Sequence, residues 1–117
     1  MLQAASAIHS HITESDVYKV AQEAEPKKVK EILELAVSGR FKEARERMQA
    51  LVVGEGLSGE DIIKEIHRNI FDLNVEEEKK MRIVEKVGEY DFRILEGADE
   101  RIQLDALLAQ IAFIGRG

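Results

Sequence analysis

The sequence predicts an all-α protein, an antiparallel helical bundle of five to six helices. Three observations predict it. Each periodic stretch of the chain repeats its apolar residues at i, i+3, i+4 and i+7, and none alternates in the manner of a strand. Capping residues and glycines fall where those stretches begin and end. The connections between them are short, which favours antiparallel neighbours.

The elements follow in order. Met1 to Ile8 is short and apolar and runs into His9-Ser-His-Ile12, which looks like the end of a helix whose start lies outside this chain. Thr13 caps a short helix, with Asp16 three residues on in the acidic capping-box position. Gln22-Glu-Ala-Glu25 is a polar connector. Pro26 suits the first helical position, and Val29, Ile32, Leu33, Ala36 and Val37 supply the apolar face up to a stop at Gly39. The next helix buries Phe41, Ala44, Met48, Leu51 and Val52 and stops at Gly54. Ser58 with Asp61 opens a helix that carries Ile62, Ile63, Ile66 and Ile70 inward. Asn74 caps a long helix from Val75, with Val84, Val87 and Ile94 on its inner side, and Gly97 ends it. Outer faces carry acid-to-base pairs four residues apart: Glu43–Arg47, Glu60–Lys64, Glu76–Lys80, Glu78–Arg82 and Glu89–Arg93.

The last helix, from Asp99 to Ile114, is apolar on two sides. At about 100° per residue, Leu104, Leu107, Leu108, Ile111 and Ile114 form one stripe. Ile102, Ala106, Ala109 and Phe113 form another. Asp105 separates the two along one border, and Gln103 and Gln110 along the other. A surface helix needs one apolar face for its own core, so a second face has something else to meet. Ile102, Ala106, Ala109 and Phe113 are therefore the candidate subunit-interface residues. The alternative is a helix buried centrally in a single bundle.

Composition narrows the function classes. At 117 residues the chain is about one domain, with 44% hydrophobic and 34% charged residues, a mixture suited to a soluble helical protein and not to a disordered one. The net charge of −6 opposes nucleic-acid binding by this piece alone, and aromatics at 5% provide no base-stacking platform. There is no cysteine, which excludes disulfides and thiolate metal sites and accords with a cytoplasmic location. No apolar run reaches the ~18 residues of a membrane span, and the N-terminus does not read as a signal peptide.

The search for chemistry finds no active site. Gly54-Glu-Gly-Leu-Ser-Gly59 superficially resembles a phosphate-binding loop, but it lacks the Lys-Ser/Thr ending and follows no strand, so it reads as a helix stop followed by a cap. His9 and His11 form a pair without the third ligand and supporting residues that a metal site needs. His67, with Glu65 nearby in sequence, reads as a half-buried histidine at a helix contact. Glu76-Glu-Glu78 complements the positive end of a helix. The basic clusters Lys27, Lys28, Lys30 and Lys79, Lys80, Arg82, Lys86 are flanked by carboxylates and read as solvated faces. No catalytic, cofactor-binding or metal-binding residue is assigned.

The chain resembles the C-terminal part of the small subunit of archaeal replication factor C, the clamp loader. The resemblance rests on Leu2-Gln-Ala-Ala5, Ile12-Thr-Glu14 with Val17-Tyr-Lys-Val20, and Phe41-Lys-Glu-Ala-Arg45. It continues in Gly56-Leu-Ser-Gly-Glu-Asp-Ile-Ile63 with Ile66-His-Arg68, Gly88-Glu-Tyr-Asp-Phe-Arg93, and Glu96-Gly-Ala-Asp-Glu-Arg-Ile-Gln-Leu104. These segments run in the family's order over nearly the whole chain. The resemblance implies that residues 1–24 are the end of an AAA+ helical lid and that residues 25–117 are the collar, a helical oligomerisation domain. It implies as partners other small subunits (a homo-oligomer), the large subunit and, through the full complex, the sliding clamp (PCNA) and primer–template DNA, with no membrane partner. ATP and magnesium would be held by upstream domains, whose motifs are absent here, so this chain would not itself be an enzyme. Met1 falls inside what resembles a lid helix, which implies a severed piece of a longer chain or one part of a divided gene product. Two other readings compete with a clamp-loader collar. One is a free-standing helical adaptor that binds a partner helix through the same stripe. The other is a small enzyme built on His67 and nearby carboxylates.

Overall fold

The computed structural model describes residues 25–117. The expected cap at Thr13, the first short helices, the His9–His11 pair and the lid segment lie outside the described residues. Within them the chain forms five α-helices and no strand. They are α1 (Pro26–Val37), α2 (Phe41–Gln49), α3 (Gly59–Ile70), α4 (Glu77–Leu95) and α5 (Glu100–Arg116).

Helix α1 starts at Pro26 and buries Val29, Ile32, Leu33 and Ala36. It ends in a Schellman cap: Gly39, at φ +89°, donates to the Ala36 carbonyl, and Arg40 N–H donates to the Leu35 carbonyl at 2.9 Å. A Cβ-bearing residue is strained at that φ, which is why the stop needs glycine. Helix α2 buries Ala44 and Met48, then widens into one π-helical turn, Ala50–Gly54, instead of running on as α-helix to Gly54. The wider turn turns Leu51 into the core and lets Glu55 N–H reach back to the Ala50 carbonyl at 3.2 Å. The Ser58 hydroxyl caps α3 by accepting from Asp61 N–H at 3.1 Å. Ile62, Ile63, Ile66 and Ile70 of α3 are all buried.

Helix α4 departs from the sequence expectation in two ways. It begins at Glu77, with Glu76 in the cap position, and Asn74 caps nothing. Leu73 is buried and Val75 half-buried, so this stretch serves as a core-anchored connection before the helix can start. The acidic residues Glu76, Glu77 and Glu78 then sit against the positive end of the helix. The inner face is Ile83, Val87, Tyr90 and Ile94. Val84 lies about 100° around from Ile83 and is only half-buried at the shoulder of the core.

Helix α5 is central. It packs against each of the other four helices, and a specific contact marks each junction. Asp105 pairs with Arg45 of α2 at 3.0 Å. Glu100 Oε1 accepts from Gly59 N–H at the start of α3, at 2.9 Å. Lys79 Nζ of α4 donates to the Gly115 carbonyl at 2.9 Å. Against α1 the approach is close: a Cβ at Gly115 would lie 2.8 Å from both Cα and the carbonyl carbon of Val37. Leu104, Leu107, Leu108 and Ile111 are buried to the last few square ångströms and form the centre of the core.

Candidate subunit interface

The second face of α5 stands where its sequence put it. Asp99 fixes the helix start by accepting from Ile102 N–H at 3.1 Å, and this sets the phase of everything after it. With the Leu104–Ile111 stripe buried, the opposite side faces water. Ile102 is 63% exposed and Phe113 62% exposed. Ala106 and Ala109, between them, are half-buried, and Ala106 also touches the edge of the core. The four candidate residues thus share one outward stripe with large ends and a small centre. Central packing and an exposed apolar face coexist in this helix. Along the borders, Asp105 is held by Arg45, while Gln103 Oε1 is buried and accepts no hydrogen bond among the described residues.

The groups considered for chemistry are placed less suggestively. His67 is exposed, not half-buried, and makes an edge-to-face contact with Phe71 at 5.4 Å. It borders an open cleft between α3 and α4 lined by Ile63, Lys64, Arg68, Val87, Gly88 and Asp91. Glu65, two residues earlier, points about 200° away from it. Its carboxylate is buried beside Asn69 Nδ2 at 2.9 Å and is joined by Arg68, so it cannot serve His67. No cluster among the described residues could hold a metal ion. The glycine-rich stretch does not fit a phosphate, because the N-terminus of α3 already holds an anion, the Glu100 carboxylate on Gly59 N–H.

The basic residues are largely engaged within the protein. Lys28 pairs with Glu55 at 2.7 Å, and that hydrogen-bonded carboxylate holds the ammonium above the ordinary lysine range. Lys86 pairs with Glu89 at 3.2 Å, and Lys80 donates to the Phe71 carbonyl at 3.1 Å in place of the expected Glu76 pair. The other four expected pairs form, with Glu43–Arg47 the longest at 3.9 Å. No described helix is long and apolar enough to cross a membrane.

Sequence reasoning missed two features. The buried Glu65–Asn69 pair gives no hydropathy signal; only its i, i+4 spacing hints that each residue can satisfy the other. The other is a second outward apolar stripe, on α4, where Met81, Phe92 and Leu95 stand exposed with Gly88 between them. Its i, i+7, i+11, i+14 spacing was legible, but placing Val84 inward hid it.

Comparison with known proteins adds a consistent set of likenesses. Residues 24–110 match the family described as the replication factor C C-terminal domain. The replication factor C small subunit of Pyrococcus furiosus is 46% identical over 116 residues, which cover 99% of this chain and 14% of that protein. That of Methanocaldococcus jannaschii is 48% identical over 99% of this chain and 6% of that protein. That of Methanococcus vannielii is 47% identical over 97% of this chain and 36% of that protein. The chain therefore spans little more than a third, and often far less, of the length of the curated relatives it matches.

Proposed function

The chain belongs to the replication factor C C-terminal domain family, and from that membership we propose that residues 25–117 act as the collar of an archaeal-type clamp-loader small subunit, with residues 1–24 the end of its AAA+ lid. In this reading the domain holds small subunits to one another and to the large subunit. The assembled complex uses ATP and magnesium in its upstream domains to load the sliding clamp onto primed DNA in the cytoplasm. The chain's own residues carry out no catalysis. They supply geometry.

The observation that carries the proposal is the outward face of α5. Ile102 and Phe113 are more than half exposed on a helix whose other side is the centre of the core. Exposed large apolar residues grouped on one rigid element mark an interaction surface. A surface on the most firmly held helix of a domain suits an assembly role better than a mobile recognition loop does. Sedimentation velocity across a concentration series tests it. The 117-residue chain should form concentration-dependent oligomers, and substituting Phe113 by Glu should abolish them while leaving the helical circular dichroism unchanged. A chain that stays monomeric into the high-micromolar range refutes the self-assembly role.

A further inference from the structure

An apolar hollow lies at the corner where α3 gives way to α4, apart from the face of α5. It is lined by Phe71, Glu77, Lys80, Met81, Val84 and Glu85 and has a volume of about 360 Å³. That is within the range of about 300–1,000 Å³ usual for ligand sites. Its walls carry large apolar groups open to solvent: Phe71 is 55% exposed and Met81 66%. Both walls are held in place. The Phe71 ring meets His67 edge to face at 5.4 Å, and Lys80 Nζ donates to the Phe71 carbonyl at 3.1 Å, tying the start of α4 to the end of α3. Leu73 is buried and anchors the connection between them. The hollow is preformed, so little ordering opposes whatever enters it.

Charge selects the occupant. Glu77, Met81 and Glu85 are spaced four residues apart, so they stand in one line along α4 with a step of about 6 Å. Both carboxylates are exposed and join no ion pair among the described residues; the same holds for Asp72 beside Phe71. Glu77 sits in the first turn of α4, where the helix dipole accounts for an acid. Glu85 lies two turns further on, where the dipole gives no reason for one. Lys80 is the only base among the lining residues, and the Phe71 carbonyl engages it. Such a surface repels phosphates, which sets aside a nucleic acid or an anionic membrane. It complements a cationic protein segment whose bases flank a large apolar side chain.

We infer that this corner docks a basic amphipathic helix of a partner protein. An aromatic or leucine side chain of that helix sits between Phe71 and Met81, and bases four residues to either side of it pair with Glu77 and Glu85. The inference goes beyond the collar reading and does not depend on it. The hollow uses the side of α4 that faces α3, where Val84 stands about 60° around the helix from Met81, and it leaves out Phe92 and Leu95.

Fluorescence anisotropy of a labelled peptide tests it. The probe is an alanine- and glutamine-based peptide of about twenty residues, long enough to be helical alone. It carries a central phenylalanine, with arginine four residues before and four residues after. It should bind saturably with a Kd below about 1 mM, and about tenfold or more weaker when glutamates replace its arginines. Raising the salt from about 50 mM to about 300 mM should weaken it severalfold. Phe71→Ser should weaken binding about tenfold or more, and so should Glu77→Gln combined with Glu85→Gln. All three side chains are exposed, so thermal melts of these variants should stay close to the parent's. Phe92→Ser, on the same helix but outside the hollow, should bind the probe as the parent does. Equal binding of the basic and acidic probes overturns the proposal, as does a lack of saturable binding at about 1 mM. Binding that survives Phe71→Ser, or that is lost in Phe92→Ser, overturns it too.

Discussion

The same substitution, glycine to alanine, should have opposite effects at two positions of this protein. At Gly115 a Cβ would lie 2.8 Å from Val37 Cα and carbonyl carbon, and closer still to the carbonyl oxygen. The obstruction is backbone, which cannot rotate away as a side chain can. Either the last turn of α5 lifts off α1 or the end of α1 moves. Lifting also draws the Gly115 carbonyl away from Lys79 Nζ, now 2.9 Å distant. Overpacking of this kind costs about 1–3 kcal/mol, against which alanine recovers at most about 1 kcal/mol of helix propensity. For a domain of this size the thermal midpoint should fall, by up to roughly 10 °C. At Gly88 nothing among the described residues opposes the methyl group. Gly88→Ala should therefore gain about 1 kcal/mol and raise the midpoint by roughly 4–8 °C. Circular-dichroism melts reveal both shifts, run dilute enough that self-association adds nothing to stability. Gly115→Ala melting at or above the parent temperature would show that α1 and α5 do not pack as described. Gly88→Ala melting below it would show that the space beside α4 is not open.

Other outcomes follow from single features. Leu107→Glu and Ile111→Glu should unfold the domain, because both side chains are fully buried and an unpaired buried carboxylate costs several kcal/mol; near-parental helical signal for either would refute the core assignment. Ile102→Glu, on the exposed side of the same helix, should leave the melt nearly unchanged and weaken sedimenting oligomers. Ser58→Ala should cost about 1 kcal/mol in urea unfolding, since it strands Asp61 N–H at the start of α3. The Lys28–Glu55 pair has a defined pH sign. Its lysine pKa is raised in the folded state, so its contribution is fully present below 10.5, the ordinary lysine value, and is lost as pH rises through the higher folded value. The stability difference between the parent and Glu55→Gln should therefore shrink above 10.5, and a difference that grows instead would show that the pair is not formed.

The parts of this fold legible in the sequence are those governed by local rules. The Gly39 and Gly97 stops follow from the backbone geometry that a helix C-terminus demands, and both close Schellman caps. The buried stripe of α5 follows from periodicity alone, because five large aliphatic residues leave no other phase. The start of α4 was not legible. Asn74 is a good cap by type, but burial of Leu73 holds the chain in a connection, and that contact is long-range. The inner face of α4 was misjudged by one position because Ile83 and Val84 are both β-branched aliphatics, and neighbouring packing chooses between them. His67 was expected half-buried from its place beside the Ile63–Ile70 stripe, yet the helix turns it outward toward Phe71. On the second face of α5, the exposure of Ile102 and Phe113 follows from the same periodicity, while the half-burial of Ala106 and Ala109 depends on how closely neighbouring helices crowd its flanks.

Because α5 touches all four of its companions, it behaves mechanically as a keel. A load applied at Phe113 or Ile102 is one side-chain layer from the centre of the protein, with no hinge or loose loop in between. Neighbours fastened to such a helix would be fixed in angle as well as in position. A torque arriving from one side would pass through the domain to the other and would not be spent in bending it. Under the proposed collar reading, a ring made from such units would be stiff around its circumference.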